Sequence, residues 1–552
     1  MKNFIKHFKS SINNYLQKFN LNGNKAEFSS FINIFITILL KLLLGLYVSF
    51  AIYLCMIYVK PGFFAQFNDG FGYYIGAKSF FENSSLHGAW IIQNFTSIIG
   101  QFPCHGFAYS LLNGGISQII GWHDKTIIFL NILYIILVFF IIKFRKSTDM
   151  SEINKKLLIF LIFAFPIALM SVFSYFQEAL NYLFSVIIAF LLVDIYKKND
   201  NKGKQLKTIG IFIFFIILAS IFRFTWSFWI VGLIPLFSKN KIQLICSSIF
   251  SFFYIFLFFV FSRLIYAPYT LGILFNFASL IKLHEYTNAF NYILHNICYN
   301  FYGLFFINYH WGINSFNFQR IYYLIFIFLT LYFGIKGIKE KNKLFIGTSL
   351  IGIINIAGVL IVYTTGWAGF KHLFLLYILY LIILASFDRK KILILILLPT
   401  IFFMKDAYQN GAESLGLLKN CGDYYKINQA HQDSYDKITQ VVKDKKLVTI
   451  FISEYILNYE IYYSDLLFMP LKTNLGYPIR YSSNIVHGKD LDTISKLNNF
   501  IDYVISEKEL NRKDLKFIFN SPLVENKQII SDKTAGIAKR YITQYYFYKV
   551  IK

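Results

Sequence analysis

Residues Lys197 to Lys241 read KKNDNKGKQLKTIGIFIFFIILASIFRFTWSFWIVGLIPLFSKNK, and this stretch decides the fold. Two apolar runs, Thr208 to Phe222 and Thr225 to Phe237, are flanked by lysine clusters and separated by a single arginine, Arg223. Hydrocarbon offers no partner for backbone N–H and C=O groups, so runs that enter it form helices. The two runs therefore make a hairpin through a bilayer. Lysine and arginine collect on the cytoplasmic side, which leaves Arg223 alone at the outer turn.

The same alternation extends in both directions. Apolar runs recur at Phe31 to Tyr58, Thr126 to Ile142, Leu157 to Phe173, Ala179 to Tyr196, Ile242 to Ser262, Ile321 to Ile335, Leu344 to Tyr363, Leu373 to Phe387 and Ile392 to Met404. Basic clusters at Lys143 to Lys156, Lys239 to Lys241, Lys336 to Lys343 and Arg389 to Lys391 all fall on one side if the N-terminus is cytoplasmic. A content of 56% hydrophobic residues and 20% aromatic ones is too apolar for a water-facing surface. The net charge of +25 is spread over helix junctions, which argues against nucleic acid as a partner and for membrane lipids.

The expected fold is an all-α polytopic membrane domain of about eleven transmembrane helices, followed by a small C-terminal α/β soluble domain. Residues 1–30 form a cytoplasmic segment, 31–404 the membrane domain with outward loops 60–125 and 263–320, and 405–552 an outward domain. The first apolar run is too long for a signal-peptide core and lacks a cleavage site, so it reads as a retained helix. Phe107 to Trp122 holds three glycines and, counted as a span, would put every later lysine cluster outside; it reads as a re-entrant or surface helix. After Lys405 acidic residues become common, and Leu447 to Ile452, Ile501 to Ile505 and Tyr545 to Ile551 read as strands. Composition rich in Lys, Asn, Ile and Phe suggests an AT-rich bacterial genome, hence an inner membrane with the last domain in the periplasm.

Ionisable residues gather at the outer side, where charge near hydrocarbon is costly and kept for a reason. The first outward loop carries Asn68-Asp69-Gly70-Phe71-Gly72-Tyr73-Tyr74 and later Phe102-Pro103-Cys104-His105-Gly106-Phe107-Ala108-Tyr109. Glu178 lies in the short turn after Leu157 to Phe173, and Thr364 to His372 ends in the basic pair Lys371-His372. Cys55 and Cys246 read as packing residues within helices, and Cys104 and Cys298 both fall in outward loops. The five cysteines show no metal-ligand spacing, so no cofactor is expected, with a divalent metal left open.

This arrangement resembles the GT-C superfamily of membrane glycosyltransferases, in the branch of protein O-mannosyltransferases and aminoarabinose transferases. The family's Asp-Glu pair is here Asp69-Gly70, and its Lys-Pro is Phe102-Pro103. The resemblance implies a transferase that moves a sugar, with inversion, from a polyprenyl-phosphate donor to a glycan, lipid or protein acceptor. It implies Asp69 as the acceptor's general base or positioner; Asp69 also reads as an Asx turn with Gly70. Arg223, Lys371 and His372 are the candidate phosphate ligands, each also readable as a cation snorkelling to lipid headgroups. Glu178, His105 and Tyr73 are candidate substrate contacts, although Glu178 equally suits a helix N-terminus. A transporter, flippase or polymerase of lipid-linked envelope polysaccharide is the alternative function.

Overall fold

The architecture is that of a computed structural model describing residues 25–58, 73–74, 76–78, 80–81, 84, 106–123, 125–146, 150–172, 174–197, 202–238, 240–266, 277, 279–306, 316–362, 367–405, 440–441, 448–452, 479–483, 502–506, 509–522 and 544–551. The helices are α1 (Lys25–Tyr58), α2 (Ala108–Ile120), α3 (Thr126–Lys143), α4 (Glu152–Phe163), α5 (Pro166–Val172), α6 (Glu178–Lys197) and α7 (Lys202–Phe222). A 3₁₀ segment, Phe224–Phe237, precedes α8 (Lys241–Ile265), α9 (Tyr286–Phe306), α10 (Phe316–Lys339), α11 (Lys343–Val362), α12 (Trp367–Ser386) and α13 (Lys390–Phe402). Among the described residues seven helices are long and apolar enough to cross a membrane.

Of the other expected spans, Leu373 to Phe387 and Ile392 to Met404 correspond to α12 and α13, and two differ from straight α-helices for local reasons. Leu157 to Phe173 is broken between α4 and α5 at Pro166, which has no N–H to donate and disfavours helical geometry in the residue before it. Thr225 to Phe237 is 3₁₀ rather than α. At a rise of about 2.0 Å per residue, 14 residues in this form reach roughly 28 Å, where an α-helix of that length would reach roughly 21 Å. The tighter coil lets a short run cover most of a bilayer core. Phe107 to Trp122 forms α2, 13 residues long, which buries Tyr109, Asn113 and Ser117 and leaves Ile119 and Ile120 exposed.

The hydrophobic core centres on α6 and α12. From Leu373 to Ala385 every residue of α12 is at most 1% exposed, matching a sequence that is apolar on all sides. In contrast α8 packs along the 3₁₀ segment and shows Phe250, Phe252, Phe253 and Phe256 on its outside, a face for lipid. Cys246 lies on that exposed helix rather than in the packing assigned to it, and Cys298 is an exposed free thiol. Lipid gives helices no hydrophobic reason to associate, so close backbone approach matters. At Gly347 a side chain would begin 2.5 Å from the Gly232 carbonyl, so only glycine lets α11 meet the 3₁₀ segment there.

The basic clusters converge at one end of the bundle. Arg145 pairs with Asp194, and Lys197 donates to the Ser386 carbonyl at 2.8 Å. Asn154 donates to Asp388 at 2.8 Å, Lys343 to the Leu236 carbonyl at 3.2 Å, and Arg389 bonds Glu340 at 2.7 Å. Glu178, Arg223 and Lys371 stand at the opposite end, each one helix length away.

Among the described residues toward the C-terminus, five strands form one sheet in the order β2-β1-β3-β5-β4. They are β1 (Val448–Ile452), β2 (Ile479–Ser483), β3 (Tyr503–Ser506), β4 (Leu515–Pro522) and β5 (Gln544–Val550). β1 runs parallel to β2 and β3, and β5 antiparallel to β3 and β4.

Candidate functional site

The site is assembled from helix ends. α7 stops at Phe222, where the Arg223 N–H still donates to the Ala219 carbonyl, and Arg223 then turns extended at φ −150° before the 3₁₀ segment begins. The Tyr266 hydroxyl, 3.3 Å from both the Ile221 and Phe222 carbonyls, satisfies this end. Gly106, at φ +72°, presses its backbone against the Tyr266 ring, where a Cβ would sit 2.4 Å from the ring. The first outward loop thus touches the support of Arg223 directly.

Arg223 is 5% exposed and its guanidinium bridges two elements. Nη2 meets Glu178 Oε1 at 2.5 Å, and Nη1 donates to the Lys371 carbonyl at 3.0 Å. Glu178 is the first residue of α6 and is 3% exposed; its Oε2 accepts no hydrogen bond among the described residues. Lys371 is half-buried and lays its ammonium 6.0 Å from the centre of the Phe176 ring, two residues before Glu178. Phe176, Glu178, Arg223 and Lys371 therefore close a ring of contacts drawn from three separate stretches of chain. One turn deeper, Trp226 Nε1 donates to Asn181 Oδ1 at 2.9 Å, aligning the 3₁₀ segment with α6.

The electrostatics favour an anion. Among the described residues of this ring, Arg223 and Lys371 supply two cations against the carboxylate of Glu178. α6 and the 3₁₀ segment begin at Glu178 and just after Arg223, so two positive helix ends meet here. Burial strengthens each of these interactions, because little water screens them.

Beneath the ring lies a hydrogen-bonded base. Asn131 of α3 sends its amide to the carbonyls of Ser171, Ser174 and Phe176 at 3.3, 2.8 and 3.2 Å. The Tyr109 hydroxyl reaches Asn131 Oδ1 and the Phe176 carbonyl, both at 3.1 Å. Burial, then the nearby Tyr134 and Glu178, raise the Tyr109 phenol well above its usual range, so it stays protonated and donates.

Of the candidates read from the sequence, Glu178, Arg223 and Lys371 meet in space. His372 is buried but leaves α12 about 100° round the helix from Lys371, so the two do not point the same way. Tyr73 is buried edge-on against Tyr109, with ring centres 4.8 Å apart, as part of the base rather than on an open surface. Asp69, His105 and Cys104 lie outside the described residues. The sequence reading passed over Asn131, although a lone carboxamide in Thr126 to Ile142 carries a signal: in hydrocarbon it needs a partner. Among the described residues no group of three metal-ligating side chains occurs.

No family model matches the chain, and no curated protein matches it. Two solved structures of an archaeal oligosaccharyltransferase from Archaeoglobus fulgidus are similar to it. One, in complex with zinc and sulfate, shares 11% identity at a TM-score of 0.46. The other, AglB with an inhibitory peptide and a dolichol-phosphate, shares 12% identity at a TM-score of 0.46. Each likeness covers 81% of this chain and about two thirds of the other, 65% and 66% respectively.

Proposed function

We propose that this protein is a membrane glycosyltransferase that takes a sugar from a polyprenyl-phosphate-linked donor and transfers it, with inversion, to a glycan, lipid or protein acceptor. The basic end of the bundle is cytoplasmic, and the reaction takes place at the opposite, periplasmic face of a bacterial inner membrane. The observation that carries this reading is the convergence of Arg223, Lys371 and two helix N-termini at that end of the bundle.

A polyprenyl phosphate has the chemistry such a site selects. Its isoprenoid chain stays in hydrocarbon while its phosphate must find cations at the membrane boundary. Arginine's planar fork suits phosphate oxygens, and Arg223 and Lys371 would hold the charge that grows on the phosphate as the glycosidic bond breaks. Glu178 Oε2 supplies an acceptor oxygen for a hydroxyl of the sugar or acceptor. Asp69, by its place in the first outward loop, is the proposed base that takes the proton of the attacking hydroxyl.

The test is sugar transfer from radiolabelled polyprenyl-phosphate sugars into membrane acceptors. Wild type transfers label from at least one donor; Asp69→Asn, folded and expressed at the same level, loses transfer while still binding polyprenyl phosphate. A wild type inactive with every donor sinks the transferase reading, and an active Asp69→Asn moves the base elsewhere.

A further inference from the structure

The turn that presents Glu178 has little secondary structure of its own. Residues Ser174 to Gln177 lie between α5 and α6, and the Gln177 carbonyl joins the α6 ladder by accepting from the Asn181 N–H at 3.0 Å. Within this turn lies Phe176, whose ring lies under the Lys371 ammonium, and directly after it comes Glu178, which grips Arg223. Both candidate phosphate ligands are thus placed by one irregular piece of backbone.

That backbone is held from below by one side chain. Asn131, fully buried in the middle of an apolar run, shares its two amide hydrogens among the Ser171, Ser174 and Phe176 carbonyls, the shortest contact being 2.8 Å to Ser174. The Tyr109 hydroxyl fixes the carboxamide from the other side by reaching Oδ1 at 3.1 Å, and it also touches the Phe176 carbonyl. Asn113 in turn donates to the Tyr109 carbonyl at 2.8 Å, and Tyr73 packs on the Tyr109 ring, so the support continues into the first outward loop.

We propose that Asn131, braced by Tyr109, is the positioning residue for the phosphate site: it sets the height of the Ser174–Gln177 turn and thereby the separation of Lys371 from the Glu178–Arg223 pair. An amide serving only to join helices needs one partner on a neighbouring helix. Asn131 instead takes three carbonyls, Ser171 near the end of α5 and Ser174 and Phe176 within the turn that leads to Glu178. It touches neither Arg223 nor Lys371 and acts through Phe176 and Glu178. The inference rests on the phosphate reading proposed above.

The test uses the full-length protein in lipid nanodiscs, titrated with a polyprenyl monophosphate, together with KM and kcat for the sugar donor. Asn131→Leu removes every donor at nearly constant volume, and Tyr109→Phe removes one hydroxyl and serves if the first variant does not fold. Drift of Lys371 from the Glu178–Arg223 pair takes one phosphate cation out of place, so the expected result is binding weakened about tenfold in Asn131→Leu and a smaller loss of the same kind in Tyr109→Phe. KM for the donor rises in parallel in both. A purely structural amide would lower the unfolding temperature and the active fraction, hence kcat, and leave affinity and KM at wild-type values; that outcome overturns the proposal. Wild type that binds no polyprenyl phosphate overturns the phosphate reading itself, whereas a binding wild type with unaltered variants overturns only the role of Asn131.

Discussion

The two ends of the helix bundle handle charge in opposite ways. At the basic end many lysines and arginines make contacts at the margin of the protein, such as Arg389 with Glu340, about one third exposed on both sides, or Lys155 with a carboxylate, Glu152, that stands 58% exposed. At the other end one pair is sunk into the protein, Arg223 and Glu178 at 5% and 4% side-chain exposure. Exposed pairs gain little, about 0–1 kcal/mol, because water and salt screen them. A buried pair must repay the loss of hydration from both ions and often does no better than an apolar pair of the same shape. The first arrangement orients a protein in a membrane; the second is better explained by a ligand than by stability.

The contrast is sharpest where one member of the buried pair is removed. Arg223→Met leaves the Glu178 carboxylate buried without its countercharge and is expected to cost about 3–5 kcal/mol, read from thermal unfolding in nanodiscs. Adding Glu178→Gln to it recovers most of that loss and recovers none of the polyprenyl-phosphate binding. Recovery of both would make the pair a simple rivet.

A smaller effect is expected one turn deeper. Asn181→Leu strands the Trp226 indole N–H in the core, at a cost of about 1–3 kcal/mol, visible in the same unfolding measurement. Because Trp226 aligns the 3₁₀ segment that follows Arg223, binding weakens in step with stability.

Lys371→Met separates ligand binding from folding. Its contact with the Phe176 ring is worth about 0.5–1 kcal/mol, so the unfolding temperature shifts little, while loss of a phosphate cation weakens polyprenyl-phosphate binding about tenfold, or about 1.4 kcal/mol. At the basic end Glu340→Gln breaks contacts to Arg389 and Lys336 for about 0–1 kcal/mol. Raised salt shrinks that figure further, and sugar transfer is unchanged.

Much of this arrangement was legible in the sequence because charge and hydropathy are periodic there. The lysine clusters fall at alternate junctions and so mark one end of the bundle, and the same reasoning singled out Arg223 as a cation where none is expected. Glu178 and Lys371 were visible as ionisable residues at apolar run ends. What linear sequence withheld was their meeting, which depends on the Trp226–Asn181 bond between the 3₁₀ segment and α6 and on the packing of α12 against α6. Asn131 was hidden for a different reason: one amide hardly alters the apolarity of Thr126 to Ile142, and its value lies in three carbonyls about 40 residues later. The 3₁₀ form of Phe224–Phe237 has an apolar pattern that any helix would share.

The sheet follows the same logic. The strands read from sequence, β1, β3 and β5, occupy its middle, where neighbours on both sides demand apolar and aromatic residues. The two that were missed, β2 with Arg480 and two serines and β4 with Lys516, Asn520 and Pro522, are its edges. Edge strands carry charge and proline to discourage further pairing, and so lose the pattern by which strands are recognised.

The most direct measurement compares two arginines, one from each end of the bundle. Polyprenyl-phosphate affinity is measured in nanodiscs for wild type, Arg223→Lys and Arg389→Lys, each of which keeps its charge but loses the planar fork. A phosphate site at Arg223 predicts affinity reduced about tenfold or more in Arg223→Lys alone, with Arg389→Lys indistinguishable from wild type. Equal affinities in all three proteins would contradict it and return Arg223 to the status of a buried structural ion.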